Sequence, residues 1–167
     1  MRRYLHVGLH KTASTFLQHS IFPCIVNVNY YGGGDIASLH RTNFHISGSS
    51  AGALWSTEAA LGWPYRPERP RVDTLIAVCR DMSITDVLIV QRDFPSWVKS
   101  LWFQTLNEGG VLAFEDWWMA SREILDEWRR IFTVLQQACM DADVSLKVLQ
   151  FDDLSKDEDF FLCQLEE

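Results

Sequence analysis

Hydrophobic and polar positions alternate between strand-like and helix-like periods along the whole chain. Tyr4, Leu5 and Val7 form a short apolar run that Gly8 ends, and the polar stretch His10 to Thr15 follows. Phe16, Leu17, Ile21 and Phe22 then recur at helical spacing, which predicts a strand, a tight turn and an amphipathic helix. Pro23 marks the end of that helix, and Val26 to Tyr31 predicts a second strand broken by Gly32, Gly33 and Gly34. Residues 35–50 are polar and serine-rich, and predict a loop or short helix carrying His40 and His45. Ala51 to Trp55 reads as a short third strand, followed by Ser56, Thr57 and Glu58. Pro64, Pro67 and Pro70 make residues 62–71 a linker.

In the second half the pattern is stronger. Val72, Leu75, Ile76 and Cys79 share one face of a helix expected from Val72 to Met82. Val87-Leu88-Ile89-Val90 is uninterrupted, and marks Thr85 to Val90 as the buried centre of a parallel sheet. Pro95 suits the first turn of the next helix, which should end at Gly109-Gly110. From Phe114 to Cys139, apolar residues keep a three/four spacing through Phe114, Trp117, Ile124, Trp128, Ile131 and Leu135. Trp118, Leu125 and Phe132 widen the stripe, so one long core-facing helix is expected. Val144 to Phe151 predicts a last strand before a short acidic helix. Strands alternating with helices define an α/β domain, a three-layer sandwich with a mainly parallel central sheet, over residues 1–167. Right-handed crossovers would bring the strand C-termini, and with them Lys11, Glu58 and Arg92, to one edge of that sheet.

Composition narrows the partners. Apolar residues make up 47% of the chain, enough for a real core. Net charge is −7, but the acidic stretch from Asp152 to Glu167 carries nearly all of it. The body is close to neutral and has no basic face for nucleic acid. Cys24, Cys79, Cys139 and Cys163 are scattered, without metal-like spacing, and read as small hydrophobes in a reducing compartment. The N-terminus lacks the pattern of a signal peptide and no long apolar run exists, so the expected location is cytoplasmic.

The chemistry lies in the first turn. A strand feeding a helix N-terminus leaves backbone N–H groups without intrahelical partners, in the positive end of the helix dipole. Lys11 adds a full charge, and Thr12, Ser14 and Thr15 add hydroxyls, so phosphate or sulfate is the implied ligand. A Walker A loop would read G-x-x-x-x-G-K-[ST]. Here the lysine comes first, in the order Lys11-Thr12-Ala13-Ser14-Thr15. That order resembles the 5′-phosphosulfate loop of the sulfotransferases, in particular the bacterial H-x-G-x-x-K-T-G-T-T-x-L-Q run. His6, Gly8, Lys11, Thr12, Ser14, Thr15, Leu17 and Gln18 keep that register, and Ala13 replaces its glycine. A second resemblance lies at Arg92 and Ser100, eight residues apart after the central strand. An arginine and a serine at this spacing hold the donor's 3′-phosphate in that family, and arginine suits phosphate by its fixed, forked charge.

The resemblance implies a P-loop NTPase-like fold. It also implies transfer of a sulfuryl group from 3′-phosphoadenosine 5′-phosphosulfate to a hydroxyl or amine of a small-molecule or carbohydrate acceptor, with no metal. Lys11 would be catalytic. His10, Lys11, Thr12, Ala13, Ser14 and Thr15 would hold the 5′-phosphate, and Arg92 and Ser100 the 3′-phosphate. A general base is needed for the acceptor. Glu58 is the first choice, His40 the second and His45 the third. The family's late basic, glycine-rich loop is not found in the sequence. A minimal or C-terminally short member is therefore expected, with self-association a consequence of uncovered apolar surface. The competing expectations are a non-catalytic nucleotide-binding module of the same fold and, more remotely, a small kinase.

Overall fold

The computed structural model of the chain describes residues 2–32, 52–66 and 68–156. Five strands, β1 (Arg3–Val7), β2 (Val28–Gly32), β3 (Gly52–Thr57), β4 (Asp86–Gln91) and β5 (Ser145–Gln150), form one parallel sheet in the order β2-β3-β1-β4-β5. Successive side chains of a strand point to opposite faces. Leu5, Val7, Ala53, Trp55, Val87 and Ile89 therefore join one buried cluster, and Leu54, Leu88, Val90 and Leu149 join another. This is why the central strands read as continuous apolar runs: both faces are covered.

Four helices cover the first face: α2 (Val72–Asp81), α3 (Phe94–Asn107), α4 (Phe114–Arg129) and α5 (Ile131–Asp141). They bury Leu75 and Cys79, Trp97 and Leu101, Leu125 and Trp128, and Ile131 and Leu135 in the larger cluster. The opposite face takes Leu17, Ile21 and Phe22 from the segment after β1, and Phe151 and Leu154 from α6 (Phe151–Lys156). The expected three-layer α/β sandwich is observed.

Several elements differ from expectation in detail. The first helix is not one regular helix. α1 is a single turn, Ser14–Phe16, that widens into a π-turn over Leu17–Ile21 and tightens into a 3-10 turn over Phe22–Cys24. The long helix from Phe114 is broken at Arg130, which sits at φ −88° and ψ 0°. β2 and β3 are shifted towards the C-terminus, so Ser56 and Thr57 belong to the strand. Residues around Pro64 are not a spacer: Pro64 is buried, and Trp63 and Tyr65 pack beside His10.

Chain direction reverses at β1. β1 runs out to the edge strand β2, returns through β3, then crosses β1 to reach β4. The loops after β1, β3 and β4 meet at that switch point, where open parallel sheets bind ligands.

Candidate active site

Gly8 begins the loop by donating its N–H to Thr57 O at 2.8 Å. A Cβ at Gly8 would lie 2.4 Å from Ser14 Oγ, so only glycine lets the helix start fold back onto β1. Thr12 and Ser14 are buried, and their hydroxyls donate to Leu9 O at 2.6 Å and 3.4 Å. They brace the turn from within, while the Lys11 and Thr15 side chains stay exposed. Lys11 and Ala13 both adopt left-handed backbone, at φ 67° and 61°. Such turns aim successive N–H groups into one concavity, an anion-binding shape. Lys11 is exposed, and among the described residues no carboxylate lies within ion-pair distance of it.

Arg92 leaves the end of β4 and donates from its guanidinium to Lys11 O at 3.0 Å. Its guanidinium carbon also lies 4.6 Å from the centre of the Phe151 ring. Two motifs 81 residues apart in sequence are thus joined at one carbonyl. α3 contributes a second tie, since Trp97 Nε1 donates to His10 O at 2.8 Å. Asp93 caps α3 by accepting from Ser96 N at 3.1 Å and Ser96 Oγ at 2.9 Å. Ser100 is half-buried in the second turn of α3, and its hydroxyl donates to Ser96 O at 2.9 Å. A cavity of about 390 Å³ opens beside Arg92, lined among others by Leu9, Gln91, Trp97, Arg129 and Gln150. A larger cleft of about 910 Å³ lies at the other end of the sheet, by Arg2, Asp86 and Ser145. Strand starts line it, and it takes no residue from the Lys11 loop.

Glu58 follows β3 and reaches the loop twice. Oε1 accepts from Thr15 Oγ1 at 3.4 Å, and Oε2 lies 3.9 Å from His10 Nδ1. Burial, and next the charge of Lys11, push His10 down to about 4. It is neutral at neutral pH, so its contact with Glu58 is not an ion pair there. Its Nε2 is buried without a partner. The ring stacks on Trp63 at 4.3 Å and meets the edge of Tyr65 at 5.2 Å. The Arg66 guanidinium covers both aromatic rings at 5.2 Å and 5.8 Å. Tyr65 is pushed up to about 12, first by burial and then by the charge of the Glu108 carboxylate.

Behind the loop lies a buried polar cluster. His6 Nδ1 and Ser56 Oγ are 2.7 Å apart, and Gln18 Nε2 donates to the same oxygen at 2.9 Å. His6 and Gln18, which flank the Lys11 loop in sequence, therefore meet on β3. Burial pushes His6 down to about 3. This cluster and the Trp63–Tyr65–Arg66 wall were not foreseen. Trp63 and Tyr65 carry a signal in the sequence, two aromatics flanking Pro64, but Pro64, Pro67 and Pro70 mask it as a linker pattern. His40, His45, Gly33 and Gly34 lie outside the described residues. Among the described residues, no cluster of three or more His, Cys, Asp or Glu could hold a metal, and no helix is long and apolar enough to cross a membrane.

Sheet order, layers and loop together define a parallel α/β fold of P-loop-like kind. A solved structure titled as a sulfotransferase from Alicyclobacillus acidocaldarius shares it, with a TM-score of 0.60 over 97% of this chain and 78% of that one, at 14% identity. No protein-family model and no curated protein matches the chain.

Proposed function

We propose that the chain transfers a sulfuryl group from 3′-phosphoadenosine 5′-phosphosulfate to a hydroxyl or amine acceptor. The observation that carries this reading is the hydrogen bond from Arg92 to Lys11 O. It puts a permanent cation at the end of β4 beside a left-handed anion loop with an unpaired lysine, as a ligand phosphorylated at both ends requires. The structural neighbour titled a sulfotransferase supports the same reading.

The residues fit the donor's chemistry. Backbone N–H groups of the loop from Lys11 to Thr15 would hold the 5′-phosphate. Arg92, with Ser100, would hold the 3′-phosphate. In the reaction the acceptor oxygen bonds to sulfur as the bond between sulfur and the bridging oxygen breaks. Lys11 neutralises the charge that develops on that bridging oxygen. Glu58 takes the acceptor's proton, because its carboxylate stands against the loop at Thr15 and His10. His10, neutral and stacked, is a holding group for the turn and for the donor.

A non-catalytic nucleotide-binding module of this fold is the second reading, favoured by one observation. Ala13 puts a methyl group where a left-handed turn suits glycine. Sulfate-transfer assays with Lys11→Ala test the first reading. The variant should fold normally, since Lys11 is exposed, and lose roughly a hundredfold or more of turnover. Full turnover in the variant would remove the mechanism.

A further inference from the structure

Lys11 stands at φ 67°, a strained choice for a residue with a Cβ. Rotating the peptide between His10 and Lys11 by half a turn would relieve the strain, because Lys11 would return to a negative φ. The same rotation would put the His10 carbonyl where the Lys11 N–H now stands. The loop would lose a donor and present an oxygen, which repels an anion. Backbone strain of this kind persists only where the surroundings fix the conformation.

The fixing contact comes from α3. Trp97 Nε1 donates to His10 O at 2.8 Å, and the side chain is only 4% exposed. A trans peptide carries its N–H opposite its carbonyl, so a carbonyl bonded to α3 turns the Lys11 N–H away from α3. Among the described residues that N–H donates to no backbone carbonyl, which leaves it for a ligand. After a flip the indole N–H would be buried without its acceptor, a loss that opposes the relief of strain. The indole is itself held, with its ring 5.9 Å from that of Phe94 and 6.3 Å from that of Trp128. The peptides on either side have other partners. Leu9 O accepts from the Thr12 and Ser14 hydroxyls, and Lys11 O accepts from Arg92. The peptide between them is the one that Trp97 holds.

We propose that Trp97 is a positioning residue, which locks the His10–Lys11 peptide so that the Lys11 N–H serves the 5′-phosphate. This rests on the transferase reading of the Lys11 loop. Calorimetry with adenosine 5′-monophosphate and adenosine 3′,5′-bisphosphate, on the natural chain and on Trp97→Phe, tests it. The substitution removes the indole N–H and no charge. Both ligands should bind the variant roughly tenfold more weakly, by the same factor, as loss of one hydrogen bond to a charged group predicts. An indole that only supports the fold would lower the urea midpoint and leave both affinities unchanged, and that result would overturn the proposal. Weakening of the bisphosphate alone would overturn it too, since the effect would then lie at the 3′ end. So would a natural chain that binds the bisphosphate but not the 5′-monophosphate. Should Trp97→Phe not fold, 3-benzothienylalanine at position 97 keeps the size of the ring, replaces only the N–H, and is held to the same outcomes. Failure of the natural chain to bind the bisphosphate would instead overturn the transferase reading, which the same titrations record separately.

Discussion

At the scale of single residues, Ala13 is the most informative departure. Its φ of 61° lies in the region where an L side chain strains against the following carbonyl, at about 1–2 kcal/mol. Glycine removes that strain but gains freedom in the unfolded chain, worth about 0.4–1 kcal/mol in the other direction. Ala13→Gly should therefore stabilise the fold by roughly 0.5–1 kcal/mol in urea melts. It should also leave anion affinity equal or improved, because the turn keeps its shape and the methyl group goes. A clear loss of stability would mean that the methyl group makes packing contacts that outweigh the backbone strain. That Lys11 and Arg92 would meet at one edge of the sheet was legible in the sequence, since each follows a strand of a predicted parallel sheet. That Thr12 and Ser14 turn inward to Leu9 O was not. A hydroxyl in a polar turn looks the same on paper whether it faces a ligand or its own backbone.

At the scale of elements, β1, β3 and the helix after the loop are pinned together at Ser56 Oγ by His6 and Gln18. That junction is buried, and it must stay neutral. Folding holds His6 down at about 3 and His10 at about 4, against an ordinary value of 6.5. The unfolded chain therefore binds more protons below about pH 6.5, and stability falls as pH drops from there towards these folded values. Above that range both groups contribute their full stability. In chemical melts across this range, His10→Gln should show a shallower acid limb than the natural chain, by up to one proton. Identical slopes would mean that His10 is not held neutral by the fold. Element type was legible wherever burial was one-sided or complete, as in β4 and α2. The break at Arg130 was not legible. α4 and α5 both face the larger cluster, so the apolar stripe keeps its phase across a one-residue kink, and neither proline nor glycine marks the spot.

At the scale of the whole molecule, the fold works by placing β1 between β3 and β4, where chain direction reverses. Everything proposed for function hangs from that edge: the Lys11 loop on β1, Glu58 after β3, Arg92 after β4. Alternation of elements made this arrangement predictable, because parallel strands with covering helices admit few orders. The wall of Trp63, Tyr65 and Arg66 was beyond such reasoning, since it depends on how a connection folds back over the edge. The central claim is that this edge binds a nucleotide phosphorylated at both its 3′ and 5′ positions. Isothermal titration of the chain with adenosine 3′,5′-bisphosphate and with ATP, each repeated on Arg92→Ala, tests it most directly. The bisphosphate should bind and ATP should bind far more weakly. Arg92→Ala should weaken the bisphosphate by roughly tenfold or more, as loss of a charged hydrogen bond predicts. Tighter binding of ATP, or a bisphosphate affinity that Arg92→Ala leaves unchanged, would contradict the account.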